Sequence, residues 1–163
     1  LPILCDRCGL FMSRIAIIGA SYLQLPLIEK AKSMGHETHV FAWEAGDVGE
    51  KVADYFYPVS IREKEQILEK CREIGINGII SIASDLAMIT VNYVAQALNL
   101  TGNSWGSTLI STNKYAMRKA FHENGDPIPS FVEVKDSKGF SAGNRLPGGP
   151  VRFRHPDYSL KTG

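Results

Sequence analysis

Few residues in this sequence have both the type and the placement to do chemistry, and the first is Lys114. It stands in "STNKYAMRKAFHENGDPIPSF", residues 111–131. That stretch reads as a helix starting near Thr112 or Asn113 and ending at Gly125, with prolines just beyond. A lysine in a first turn lies at the positive pole of the helix dipole, at a cost of a few tenths to about 1 kcal/mol. An anionic ligand beside it would compensate. A helix that starts later, or an ammonium that extends to water, would need none.

The other candidates fall at the carboxyl ends of expected strands, where α/β sheets place their ligands. In "GASYLQ", residues 19–24, only Gly19 matches the glycine fingerprint G-x-G-x-x-G, so a dinucleotide site gains little support. Ser21 and Gln24 have the S-x-x-Q spacing of a capping box, a structural task. Backbone N–H groups at the same helix start could also hold a phosphate or carboxylate, and both readings stand. Asp85, in "IASD", is favourable at a helix start for electrostatic reasons alone, and is also placed to bind a substrate amine or hydroxyl.

The cysteines and histidines offer less. Cys5 and Cys8 make a lone C-x-x-C without the second half of a zinc site, and no strand–helix context marks a redox motif. Cys71 falls inside an expected helix, where a buried thiol acts as a small hydrophobe. His36 and His39 straddle a helix end and a strand, His122 lies near a helix C-terminus, and His155 lies in irregular sequence. No nucleophilic or metal-binding set can be assembled from them.

The elements that must position these residues begin at Arg14. "RIAIIG" reads as a buried strand, "YLQLPLIEKAKSMG" as a helix closed by Gly35, and "ETHVFAW" as a second strand. "ADYFYPVS" carries a third, and Ser60 with Glu63 forms a capping box for a helix through Ile74, closed by Gly75. "INGIISIA" is a fourth strand, "LAMITVNYVAQALN" a largely buried helix, and "LTGNS" a brief fifth strand or edge segment. Alternating strands and helices imply an α/β, doubly wound, Rossmann-like parallel sheet. After Phe131, "VEVK" reads as one more strand, and the remainder shows no usable period.

Bulk properties set outer limits. The chain has 163 residues, 44% hydrophobic and 21% charged, with a net charge of +1, which fits one globular domain. Balanced charge gives no argument for nucleic acid or an anionic membrane surface. No apolar run approaches ~18 residues, and "LPILCDRCGLF" is a poor secretory signal, so the cytoplasm is the expected compartment.

Taken in order, these residues resemble the pre-ATP-grasp domain and first linker of ATP-grasp ligases. That superfamily includes biotin carboxylase, carbamoyl-phosphate synthetase large chains and purine-pathway ligases. The resemblance covers residues 13–134, and its most specific part is Asn113, Lys114, Gly125, Pro127 and Pro129. It implies that Lys114 contacts ATP phosphates, and that Gly19, Ser21, Gln24 and Asp85 face the acceptor substrate. It further implies ATP and magnesium in the parent enzyme, with a small-molecule carboxylate activated as an acyl phosphate and attacked by an amine or other nucleophile. The second nucleotide lysine and the magnesium-binding acids of that family are missing from this chain, so no residue is assigned to catalysis or metal, and activity alone is not expected.

The expected organisation is a non-native or disordered leader (1–12), the pre-ATP-grasp domain (13–110), a linker helix with the first ATP-grasp strand (111–136) and an irregular tail (137–163). Codons for "GNRLPGGP", residues 143–150, read one base later, can spell the family-like "EIGYPVVR", so the tail is expected to be out of frame. Two other readings remain open. One is a stand-alone Rossmann-like nucleotide-binding module; the other is a non-enzymatic regulatory or oligomerisation domain, with room for a homodimer.

Overall fold

The computed structural model describes residues 3–4 and 11–131 of the chain. Two compact units divide it, Leu1–Thr108 and Leu109–Gly163. In the first, β1 (Ile3–Leu4) pairs antiparallel with β2 (Phe11–Met12). The main sheet contains β3 (Arg14–Ile18), β4 (Glu37–Ala42), β5 (Tyr55–Pro58) and β6 (Gly78–Ile80). Its four strands are all parallel, in the order β5–β4–β3–β6.

Helices cover both faces, as a parallel sheet requires. They are α1 (Leu25–Ser33), α2 (Val48–Val52), α3 (Lys64–Ile74) and α4 (Asp85–Ala97). Alternation along the strands divides the core. Ala16, Ile18 and Phe41 pack with Ile67, Cys71, Val91 and Val94, whereas Ile17, Val40 and Ala42 pack with Ile28 and Ala31. Burying each large aliphatic or aromatic side chain of this set contributes roughly 1.5–3 kcal/mol. Cys71 is part of this core, and burial pushes its thiol up to about 12, as expected of a packing residue.

Then follow α5 (Trp105–Thr112), which crosses the unit boundary, and α6 (Lys114–Glu123). Asn113 caps α6 through its side chain, which accepts from the Ala116 N–H at 2.9 Å, and Gly125 follows at φ +80°. The helix therefore starts and stops where its sequence signals say.

Several local expectations give way. Segment 100–104 is no strand: Asn103 donates its N–H to the Asn92 side chain on α4. A Cβ on Gly102 would lie 2.7 Å from that of Ala95, so the segment hugs the helix instead of joining the sheet. Ser60 and Glu63 form no capping box; the Ser60 hydroxyl accepts from Arg62, and α3 begins only at Lys64. Nor do Ser21 and Gln24 form one, because Pro26, tolerated only in a first turn, fits a helix start at Leu25 rather than Tyr22. The short α2 went unanticipated. The "VEVK" strand, Cys5, Cys8, His155 and the out-of-frame tail lie outside the described residues.

Candidate functional site

Strand order reverses between β3 and β6, and the loops leaving their carboxyl ends diverge there. A cleft of about 370 Å³ opens at this edge of the sheet, within the size range of small-molecule sites. Gly19, Ser21 and Gln24 line it from the loop after β3, Trp43 from the loop after β4, and Ser60 and Ser84 from the loops entering α3 and α4.

Short hydrogen bonds tie these loops together. Gly19, at φ +103°, donates its N–H to the Phe41 carbonyl at 2.8 Å. A Cβ there would come within 3.0 Å of the Gln24 side chain, so the position suits only glycine. The Ser21 hydroxyl donates to Gln24 Oε1 at 2.6 Å, and Gln24 Nε2 donates to the Ile82 carbonyl at 2.6 Å. Gln24 is only 4% exposed, so it works as a strut between the loops after β3 and β6. A second strut is Ser81, whose hydroxyl donates to the Ile18 carbonyl at 2.6 Å.

The loop after β4 is equally fixed. Glu50 on α2 accepts from the Ala45 and Asp47 N–H groups at 2.9 and 3.0 Å, with its carboxyl held below the usual range chiefly by the Ala45 bond. Gly49 donates to the Ala20 carbonyl at 2.8 Å, and a Cβ on Gly49 would lie 2.4 Å from that oxygen. Any side chain at Gly49 would force the two loops apart.

Three of the acceptor-side candidates, Gly19, Ser21 and Gln24, thus come together at the cleft. Asp85 does not line it. It is the exposed first residue of α4, beside Ser84, whose hydroxyl caps the helix by accepting from Ala87 at 3.2 Å. Lys114 belongs to the other unit, as the exposed first residue of α6, and makes no ion pair with a described residue. Sequence reasoning passed over Trp43, Gly49 and Glu50. The D-x-x-E spacing of Asp47 and Glu50 was a legible helix signal; the isolated tryptophan carried none.

At the opposite end of the sheet, His39 is 4% exposed and held between Glu37 Oε1 (2.8 Å) and the Tyr57 hydroxyl (3.1 Å), stacked on Tyr55. These are satisfied partners in a packed wall. Among the described residues no group of three or more His, Cys, Asp or Glu is gathered to hold a metal, and no helix is long and apolar enough to cross a membrane.

No protein-family model and no curated protein matches the sequence. Solved structures do. Phosphoribosylglycinamide synthetase from Anaerococcus prevotii is similar at 20% identity and TM-score 0.67, over 80% of this chain and 33% of its own. N5-carboxyaminoimidazole ribonucleotide synthetase from Thermotoga maritima follows at 21% and 0.65, over 83% and 37%. L-amino acid ligase from Bacillus licheniformis follows at 22% and 0.65, over 75% and 32%. These neighbours are ATP-grasp ligases, and the likeness at this level of identity is one of fold. The chain spans about a third of the length of these structures.

Proposed function

We propose that this chain, whose fold is the one these ATP-grasp ligases share, is the N-terminal portion of such an enzyme. Its cleft would receive the acceptor substrate, and Lys114 would contact ATP phosphates supplied from the catalytic portion. The observation that carries this reading is the cleft itself: a preformed pocket at the switch point of a parallel sheet, walled by loops locked with 2.6–2.8 Å hydrogen bonds.

Within it, Gly19 lets the first loop turn back over the strand end, and Ser21 with Gln24 shapes the wall. Their side-chain groups are bonded to each other and to Ile82, so we assign them to positioning rather than direct recognition. Asp85 would act from the rim, as a carboxylate available to a substrate ammonium or hydroxyl. Lys114 offers an exposed ammonium beside the backbone N–H groups of a helix start, a pairing suited to phosphate oxygens. ATP would bring the phosphoryl group that activates a carboxylate. Magnesium is a different matter: the described residues supply no acidic cluster to hold it, so its ligands would lie outside them. The chain alone would then bind nucleotide weakly and ligate nothing.

Calorimetry with ATP and magnesium tests this on three proteins: the chain, its Lys114→Ala variant, and a version continued in frame through a catalytic portion. Binding that strengthens greatly in the extended version and weakens with Lys114→Ala supports the reading. Equal affinity in all three would refute it.

A further inference from the structure

The two most exposed large hydrophobic side chains of the described residues are Tyr22 and Trp43, each 73% exposed. Both stand on loops leaving the carboxyl ends of adjacent strands, β3 and β4, and Trp43 lines the cleft. An indole left in water forgoes a large burial gain, because aromatic rings of this size cover 150–250 Å² when packed. Loop flexibility is not the reason for its exposure. The residues on either side of Trp43 are pinned by the Phe41–Gly19 bond, by the Glu50 carboxylate holding Ala45 and Asp47, and by the contact of Gly49 with Ala20. Ala42, immediately before it, is buried in the core. The ring is therefore presented at the cleft by a rigid frame.

Nearby polar groups complete the setting. Ser60 and Asp47 line the same cleft, and the Ser60 hydroxyl, which accepts from Arg62, keeps its own proton to donate. Ala83, on the far wall, is held at φ +58°, a left-handed conformation that a non-glycine residue adopts at a cost and that clusters at ligand sites. A flat apolar ring lining a small-molecule-sized space together with hydroxyl and carboxylate groups selects ligands that have both a planar face and polar substituents.

We propose that Trp43 is the specificity-determining residue of the cleft, and that it stacks on a planar, π-bearing ring of the acceptor, with hydroxyl or amine substituents of that acceptor reaching Ser60 and Asp47. This rests on the reading that the cleft takes a small acceptor, and goes further by naming its class: an aromatic or heteroaromatic ring carrying polar groups, rather than an aliphatic amino acid or bicarbonate.

The test uses the full 163-residue chain with Trp105→Phe, which leaves Trp43 as its single tryptophan, and two probes that differ by a planar base. These are aminoimidazole carboxamide ribonucleotide and ribose 5-phosphate. The expected result is quenching of Trp43 emission by the first probe, with about tenfold tighter binding than the second, the scale of one ring–aromatic stack. Trp43→Leu should remove that tenfold preference without changing affinity for ribose 5-phosphate, whereas Trp43→Phe should keep most of it. Equal binding of both probes, unchanged in Trp43→Leu, would overturn the stacking role and leave the acceptor cleft standing. Binding of neither probe would overturn both. Emission that shifts only with protein concentration would also overturn the proposal, since the ring would then belong to an interface between copies.

Discussion

Among the described residues two helices begin with a lysine, and the protein treats the two ammonium groups differently. At the start of α3, Lys64 lies 4.6 Å from the centroid of the Tyr93 ring, 5.7 Å from that of Trp105, and 3.8 Å from the Glu65 carboxylate. Its side chain is only 31% exposed. At the start of α6, Lys114 is exposed and has no ion-pair partner among the described residues. A cation at the positive pole of a helix is therefore not a ligand signature by itself. Where the fold wants one there for its own sake, it surrounds the charge with π-faces and a carboxylate. The lysine left without such partners is the one whose compensation would come from outside. Lys32 supplies a third case, at the favourable pole: it sits in the last turn of α1, 2.7 Å from both Asp54 Oδ1 and the Val52 carbonyl.

The sharpest break of this contrast would come at Tyr93, which packs on the core as well as under Lys64. Tyr93→Ala should cost about 3 kcal/mol in urea unfolding, by loss of packing. Tyr93→Leu, which keeps a large apolar side chain but removes the ring, should cost only about 1 kcal/mol, and less still in a Lys64→Met background, because the ring would have no cation to hold. If Tyr93→Leu were neutral, Lys64 would lose its claim to internal compensation.

A smaller effect concerns whether Lys114 really occupies a helix start. Asn113→Ala should cost about 1 kcal/mol, read as faster hydrogen exchange of the Ala116 amide, which loses its side-chain acceptor. Protection that stays unchanged would move the true start of α6 and dissolve the premise.

Acid titration probes the third lysine. Burial raises the Asp54 carboxyl, but bonds from Lys32 and Thr38 outweigh it and hold the group below its usual value. A folded pKa below the unfolded one gives stability above the unfolded value that is lost as pH falls through the folded one. Wild type should accordingly exceed Asp54→Asn at neutral pH, modestly because the pair is a third exposed, and the difference should shrink as pH falls below the usual carboxylate range. The smallest expected effect is a difference of sign. Lys64→Met should lower stability by a few tenths of a kcal/mol, and Lys114→Met should leave it level or raise it by as much.

How far these features were legible follows from the physics each depends on. The strands and the α6 boundaries were readable because apolar runs, an Asn cap and a closing glycine are local signals. Parallel pairing followed from alternation of elements. The Ser21–Gln24 and Ser60–Glu63 boxes misled because the motif fixes only a spacing, while the hydroxyls found other partners: Gln24 itself in one case, Arg62 in the other. Segment 100–104 misled because its fate was decided by a side-chain contact back to Asn92 on the preceding helix, which local patterning does not encode. Trp43 could not be found at all, since exposure at a cleft is a property of three loops together. The contrast between Lys64 and Lys114 was likewise invisible, because Tyr93 lies far along the chain from the lysine it supports.

The most direct measurement is the affinity of magnesium–ATP for the chain continued in frame through a catalytic portion, compared across wild type, Lys114→Ala and Lys64→Met. The predicted result is a loss of roughly tenfold or more in Lys114→Ala, the worth of a charge-assisted contact, with Lys64→Met unchanged. Undiminished affinity in Lys114→Ala, or an equal loss in both variants, would contradict it.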